Sequence, residues 1–203
     1  MRLENGYIDV PPGKLAAIVT SLEMLERAPL RPATADPAWQ LRHVLRPEAA
    51  WYRELYARIG QDWLWFSRLA LSQTELTRII RNPLVEVHAL ETAGIDQGLL
   101  ELDFRQAGEC ELSFFGLTAP LLGKGAGRWL MNQAIERAWA RPIRRFWVHT
   151  CTLDHPGALA FYMRSGFRPF RRQIEISDDL RITGEAPRSA SPHVPPIQPV
   201  EER

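Results

Sequence analysis

The chain has 203 residues, with 25 Lys and Arg against 24 Asp and Glu, 45% hydrophobic residues and a mean hydropathy of −0.23. This balance excludes disorder throughout and nucleic-acid binding by bulk charge, and the length suffices to bury a core without staples. Cys110 and Cys151 lie far apart in apolar runs and read as reduced thiols, not a disulfide framework. The N-terminal residues hold no apolar h-region, and no stretch approaches ~18 apolar residues. The sequence therefore predicts neither a secretory signal nor a membrane contact, and a cytoplasmic location.

Residues 15–25 are β-prone and are entered through Pro11-Pro12-Gly13. Pro29, Pro32, Pro37 and Pro47 make 29–47 an irregular connection, with Pro47 suited to the first turn of a helix. Trp51, Tyr52, Leu55, Tyr56 and Ile59 recur at helical spacing up to a stop at Gly60. The aromatic run Asp62–Phe66 reads as core packing or a pocket wall. Ser72 and Glu75 have capping-box spacing and open a short helix to Arg81, ended by Pro83. The period then becomes 2 over 84–90, 99–104 and 110–117, with turns at Ala93-Gly94 and Ala107-Gly108, which predicts an antiparallel meander.

Residues 123–140 follow as an amphipathic helix with Trp129, Leu130, Ala134, Ile135, Ala138 and Trp139 on its apolar side. Residues 145–151 read as a strand of buried type, 156–165 as a helix stopped by Gly166, and 167–176 as a last strand. The fold class is α+β: a mixed, mostly antiparallel central sheet with flanking helices and one late parallel βα crossover. Residues 1–183 form one domain, and 184–203 a Pro- and Ser-rich tail that is flexible or draped over the surface.

The segment Leu122-Gly123-Lys124-Gly125-Ala126-Gly127-Arg128 lies between a strand and a helix. Unpaired N–H groups and the positive dipole end at a helix start attract phosphate, and glycines let it approach the backbone. A ligand-free turn is the alternative. A Walker loop fails because Gly127 is followed by Arg128 and Trp129, and a dinucleotide fingerprint fails on glycine spacing.

The chain here resembles the GNAT superfamily of acyl-CoA-dependent N-acetyltransferases, whose loop reads Gln/Arg-x-x-Gly-x-Gly/Ala. Gly125 and Gly127 fall on its glycine positions, and Leu122 stands where Gln or Arg is usual. A second block, from His155 through Ala158 and Tyr162 to Gly166-Phe167, is similar to the family's Asn-x-x-Ala-x-x-x-Tyr-x-x-x-Gly-Phe, with His155 replacing Asn. The resemblance covers residues 84–176. It implies acetyl-CoA as co-substrate, held by residues 122–128, His155, Phe115 and Leu117, and transfer of its acetyl group to a primary amine by direct attack in a ternary complex. A non-catalytic acyl-CoA-binding or regulatory module is the alternative, since Leu122 and His155 depart from the pattern.

A primary amine, whose conjugate acid ordinarily titrates at ~10.4, needs a base or a desolvating pocket to attack near neutrality. Glu109 and Glu111 share strand parity with Ser113, Phe115 and Leu117, and Glu111 falls near the family's catalytic glutamate; a solvent-facing pair, or a water relay as base, is the alternative. The resemblance places the oxyanion-stabilising amides near Phe115 and Leu117, with Gly116 expected to mark a bulge that parts this strand from its neighbour. Tyr162 is the expected acid for the leaving thiolate; a helix tyrosine anchored by its hydroxyl is the alternative. The histidines show no metal-ligand spacing, so no metal is expected. The expected partners are acetyl-CoA and an amine, with a homodimer left open.

Charge is segregated along the chain. Residues 84–111 hold seven acids and one base, and residues 141–172 hold seven arginines and one acid. That pattern suits docking of a cationic amine and an anionic co-substrate at separate places, or solvated faces alone.

Overall fold

The β-prone run after Gly13 forms β1 (Lys14–Met24), and a short strand, β2 (Gln40–His43), follows within the stretch expected to be irregular. The computed structural model describes residues 4–199; the first three residues and the last four of the tail lie outside the described residues. Strand β2 carries almost no apolar signal and is held by its neighbours, with Arg42 paired to Asp96 at 2.9 Å and to Glu91 at 3.6 Å. Helix α1 (Ala49–Gly60) starts at a Glu48 cap, so Pro47 precedes the cap and does not occupy the first turn. Helix α2 (Gln73–Ile80) carries the expected capping box: the Glu75 amide donates to Ser72 Oγ at 3.2 Å and the Ser72 amide to Glu75 Oε2 at 2.9 Å.

The meander is β3 (Val85–Thr92), β4 (Ile95–Asp103) and β5 (Glu109–Leu117). Helix α3 (Ala126–Trp139) begins three residues later than expected, because Gly123 (φ 74°) and Gly125 (φ 87°) adopt left-handed backbone that no helix continues. Then come β6 (Arg145–Cys151), α4 (Ala158–Arg164), β7 (Arg168–Asp178) and a terminal turn of helix not expected from the sequence, α5 (Leu180–Thr183). Strand β6 alternates in burial and is not enclosed on both faces.

The seven strands form one mixed sheet in the order β2-β3-β4-β5-β6-β1-β7, and β5–β6 is its one parallel pair. Strand β1 is inserted between β6 and β7, antiparallel to both. Helix α3 covers one face, where Leu100, Leu102, Leu112, Leu130, Ile135 and Phe146 form the main core with Tyr162 of α4. Helices α1 and α2 cover the other face over β3, β4 and the second half of β5, through Tyr52, Leu55, Leu76, Val87 and Leu99 with Phe114 packed against them. On that second face Val19, Ser21, Trp147 and Gln173 line an open polar hollow of about 590 Å³.

Two buried ionic clusters fix the loops around this frame. The wholly buried Glu101 of β4 accepts from Tyr52 Oη at 2.5 Å and from the Arg68 guanidinium, anchoring the α1–α2 linker to the sheet. Arg181, also buried, pairs with Asp179 (Nε–Oδ1 2.9 Å, Nη2–Oδ2 2.7 Å) and donates to the carbonyls of Ala190 at 3.0 Å and Val194 at 2.6 Å. Ala190 packs beside Leu15, Ala17, Leu64 and Leu153, and the Ser191 amide donates to the Asp62 carbonyl at 3.0 Å. The described part of the tail is thus clasped to the domain.

Removing one partner of a buried ion pair typically costs about 3–5 kcal/mol. Arg181→Met strands the Asp179 carboxylate and should lower the thermal midpoint by about 10 °C for a chain of this size. An unchanged midpoint in calorimetry would show that the clasp contributes nothing.

Candidate active site

The site originates in a strand irregularity. Leu102 faces Leu112 across the β4–β5 ladder, but Glu101 faces Phe114, so Ser113 is an extra residue, a β-bulge. The bulge is therefore at Ser113 and not at Gly116 as expected. Gly116 serves close approach instead: a Cβ there would lie 2.4 Å from Ile59 and 2.9 Å from the Trp65 ring.

The extra residue reverses side-chain parity. Cys110, Leu112, Phe115 and Leu117 all face the α3 core, while Phe114 packs with α1 and α2. The expected common face of Glu109 and Glu111 with Phe115 and Leu117 is overturned: the glutamates share the Phe114 face.

Pairing of β5 with β6 ends at Glu111 opposite Trp147. Beyond it the strands part, and a cavity of about 450 Å³ opens through the sheet. Leu122, Gly127, Phe161 and Tyr162 line it on the α3/α4 side, and Tyr56, Trp63, Trp65 and Phe66 on the α1/α2 side. The Thr118 amide donates to the Gln97 carbonyl at 2.9 Å, toward β4. By strand alternation the amides of Leu117 and Phe115 point the other way, into the gap.

At the α3 end, the first helical bond runs from the Trp129 amide to the Gly125 carbonyl at 3.1 Å, so the amides of Ala126, Gly127 and Arg128 have no intrahelical acceptor. Leu122, Gly123, Lys124 and Gly125 are exposed, and the space where a Cβ on Gly123 or Gly125 would sit is open. Ala126 is buried in the core, and Arg128 turns away to donate to the Pro32 carbonyl at 3.0 Å. Of the seven loop residues, Leu122 and Gly127 border the cavity. Open backbone, free amides and an adjoining slot between strands suit a phosphate-bearing chain such as coenzyme A.

Tyr162 is 7% exposed and packs edge-on to Phe115, Phe161 and Phe167. Its hydroxyl makes no hydrogen bond among the described residues, so the alternative of a tyrosine anchored by its hydroxyl does not describe it. Burial, reinforced by the charge of Asp154, pushes the phenol well above its ordinary pKa and keeps it protonated.

Asp154, not singled out from the sequence, is the most connected polar group of the cavity wall. Its Oδ2 accepts from Thr150 Oγ1 (2.7 Å) and the Cys151 amide (2.9 Å), and its Oδ1 from Trp65 Nε1 (3.2 Å). His155 lines the cavity, accepts from the Gly157 amide through Nδ1 at 3.0 Å and meets the Trp63 ring edge-on at 5.1 Å.

Glu111 does not line this cavity but lies 3.6 Å from Nδ1 of His149, which does. Glu111, ahead of desolvation, holds the His149 pKa above its ordinary 6.5, with Asp154 and Glu175 adding to the effect. Glu109 lies beside the polar hollow and pairs with Arg145 at 3.5 Å. Burial pushes the Cys151 thiol up to about 11, so this cavity cysteine is not a thiolate near neutrality. Two of the seven arginines of 141–172 pair with acids of the meander, Arg145 with Glu109 at 3.5 Å and Arg141 with Glu86 at 2.6 Å, while Arg144, Arg164, Arg168, Arg171 and Arg172 form no salt bridge among the described residues.

Residues 88–167 match the family profile of the GNAT acetyltransferases. Among solved structures it is similar to a GCN5-related N-acetyltransferase from Sphaerobacter thermophilus (16% identity, TM-score 0.60, 80% of this chain and 52% of that one). It is also similar to a GNAT-family protein from Novosphingobium aromaticivorans (16%, 0.56, 85% and 70%). A third, a functionally unknown conserved protein from Staphylococcus epidermidis, matches at 12%, 0.55, 81% and 62%. At such identities the likeness is one of fold. The chain spans between 52% and 70% of the length of these structures, and no curated protein matches it.

The Glu111–His149 pair makes a direct prediction. In wild type, His149 should titrate by NMR above 6.5, and Glu111→Gln should return it toward that value. The raised pKa makes the pair stabilising below pH 6.5, with the contribution lost as pH climbs through the folded value. Identical titration in both proteins would show that the two groups are not coupled.

Proposed function

We propose that this protein transfers an acetyl group from acetyl-CoA to a primary amine by direct attack, with Tyr162, His149 and Glu111 moving the protons. The single observation that carries the reading is the parting of β5 and β6 beyond Glu111. It leaves strand amides on one side of a slot that ends at the free amides of α3, with the unbonded Tyr162 hydroxyl in its wall.

In this reading His149, oriented by Glu111, takes the proton of the bound ammonium. The amine nitrogen then bonds to the acetyl carbon as its bond to sulfur breaks. Amides of Phe115 and Leu117 hold the charge that develops on the acetyl oxygen, a contribution typically worth about 3 kcal/mol. Tyr162, a phenol kept protonated by burial, gives its proton to the leaving sulfur, and the second proton lost by the acylated nitrogen restores the phenol. The amides of residues 126–128 and the mouth at Leu122 and His155 hold the remainder of the coenzyme. The protonated state of Cys151 supports direct transfer over a route through an acyl-cysteine.

The departures at Leu122 and His155 keep a non-catalytic acyl-CoA-binding module as the competing reading. CoA release measured with a panel of amines separates the two. With any accepted amine, Tyr162→Phe should lower kcat about 100-fold or more with little change in acetyl-CoA affinity. Binding of acetyl-CoA without turnover of any amine would favour the binding module. Gly127→Glu, which sets a negative charge into the slot at an ordinary backbone angle, should weaken acetyl-CoA about tenfold or more by calorimetry; unchanged affinity would place the coenzyme elsewhere.

A further inference from the structure

The α1–α2 linker contributes a run of large aromatic side chains that the acetyl-transfer chemistry does not use. Trp63, Trp65 and Phe66 line the cavity, joined there by Tyr56 of α1 and Phe114 of β5. Three of these rings pack on one another: Tyr56 lies 5.2 Å from Trp65 and 4.9 Å from Phe114, and Trp65 lies 5.4 Å from Phe114. The buried Arg68–Glu101–Tyr52 cluster pins the chain immediately after it. The wall is therefore a preformed feature on the opposite side of the sheet from the glycine turn.

The polar tips of Tyr56 and Trp65 are already engaged. Tyr56 Oη meets Ser67 Oγ at 3.3 Å, and Trp65 Nε1 donates to Asp154. An acceptor rich in hydroxyls would find few partners there and would leave its own polar groups unpaired. Beside the rings the cavity carries a local excess of acid. Asp154 is bonded only to neutral donors, and neither it nor Glu175 forms a salt bridge among the described residues. Both line the same cavity as His149, which Glu111 meets at 3.6 Å. Arg164 at the lining is the one arginine or lysine against them.

Aromatic faces with nearby carboxylates recognise a cation on an apolar body. We infer, building on the acetyl-transfer reading, that the acceptor is an aralkyl primary amine: its ring packs on the Trp63–Phe66 wall and its ammonium points to the carboxylates around His149. The same acids repel an acceptor that carries its own carboxylate beside the amine. The cavity thus selects aralkylamines over α-amino acids, polyamines and amino sugars.

Two readouts test this with wild-type protein. Binding of 2-phenylethylamine is followed by tryptophan fluorescence, and turnover by CoA release with 2-phenylethylamine, phenylalanine, spermidine and kanamycin. The expected result is saturable quenching by 2-phenylethylamine and a kcat/KM about 100-fold above that of each other acceptor. Phe66→Ala should lower the ratio of kcat/KM for 2-phenylethylamine over propylamine about tenfold. Equal or better turnover of spermidine, kanamycin or phenylalanine overturns the aralkyl inference and leaves acetyl transfer standing. Quenching without CoA release from any amine overturns acetyl transfer and leaves the aromatic amine site. A flat amine preference with faster transfer from hexanoyl-CoA than from acetyl-CoA assigns the wall to the acyl chain and overturns the inference.

Discussion

Between Leu112 and Phe114 strand β5 carries one residue more than its partner β4, and two residues earlier its pairing with β6 has ended. Everything in the candidate site depends on this arrangement. Without the bulge, Phe115 and Leu117 would project toward α1 and Phe114 toward α3, exchanging the aromatic wall for the core. Without the parting, the amides of Phe115 and Leu117 would be consumed by a sheet ladder. Backbone polar groups left unpaired are costly unless a partner arrives, and a ligand running along the strand supplies one.

A second constraint keeps the gap from collapsing. The gap is bordered by a short parallel pair at one end and by two side-chain bridges at the other: Trp65 to Asp154, and Trp63 edge-on to His155. Both join the α1–α2 linker to the loop after β6, on opposite sides of the opening. The tail reinforces the same region, because Ala190 packs on Leu64 and Leu153, both of which line the cavity. A segment whose composition reads as a loose appendage thus braces the cavity, through a buried Arg181 that finds its partners only once the chain has folded back.

Local patterns carried much of this architecture. The capping box at Ser72, the meander turns and the Tyr162 to Gly166-Phe167 block are short-range signals, and each corresponds to one local feature of the backbone. The left-handed angles at Gly123 and Gly125 explain why glycines were needed and also why α3 starts late. The placement of β1 between β6 and β7 was not legible, since pairing across more than a hundred residues leaves no periodic trace. Strand β2 was missed because its residues alternate weakly and Arg42 is held by ion pairs. Residue type points to Gly116 for the bulge, whereas the bulged residue is a serine and the glycine answers to Ile59 and Trp65. Asp154 and His149 escaped notice because their significance lies in neighbours from other elements. Charge follows the same rule: β5 and β6 are adjacent, so Glu109 and Arg145, distant in sequence, pair across the sheet.

The central claim is that the opening between β5 and β6 is the slot for an acyl-coenzyme A. A crystal structure of the protein grown with coenzyme A tests it most directly. The account predicts the pantetheine chain lying between Ser113–Leu117 and Val148–Cys151, hydrogen-bonded to the Phe115 and Leu117 region, with the pyrophosphate on the amides of residues 126–128. Coenzyme A bound on any other surface, or strands β5 and β6 found zipped together along their length, would contradict it.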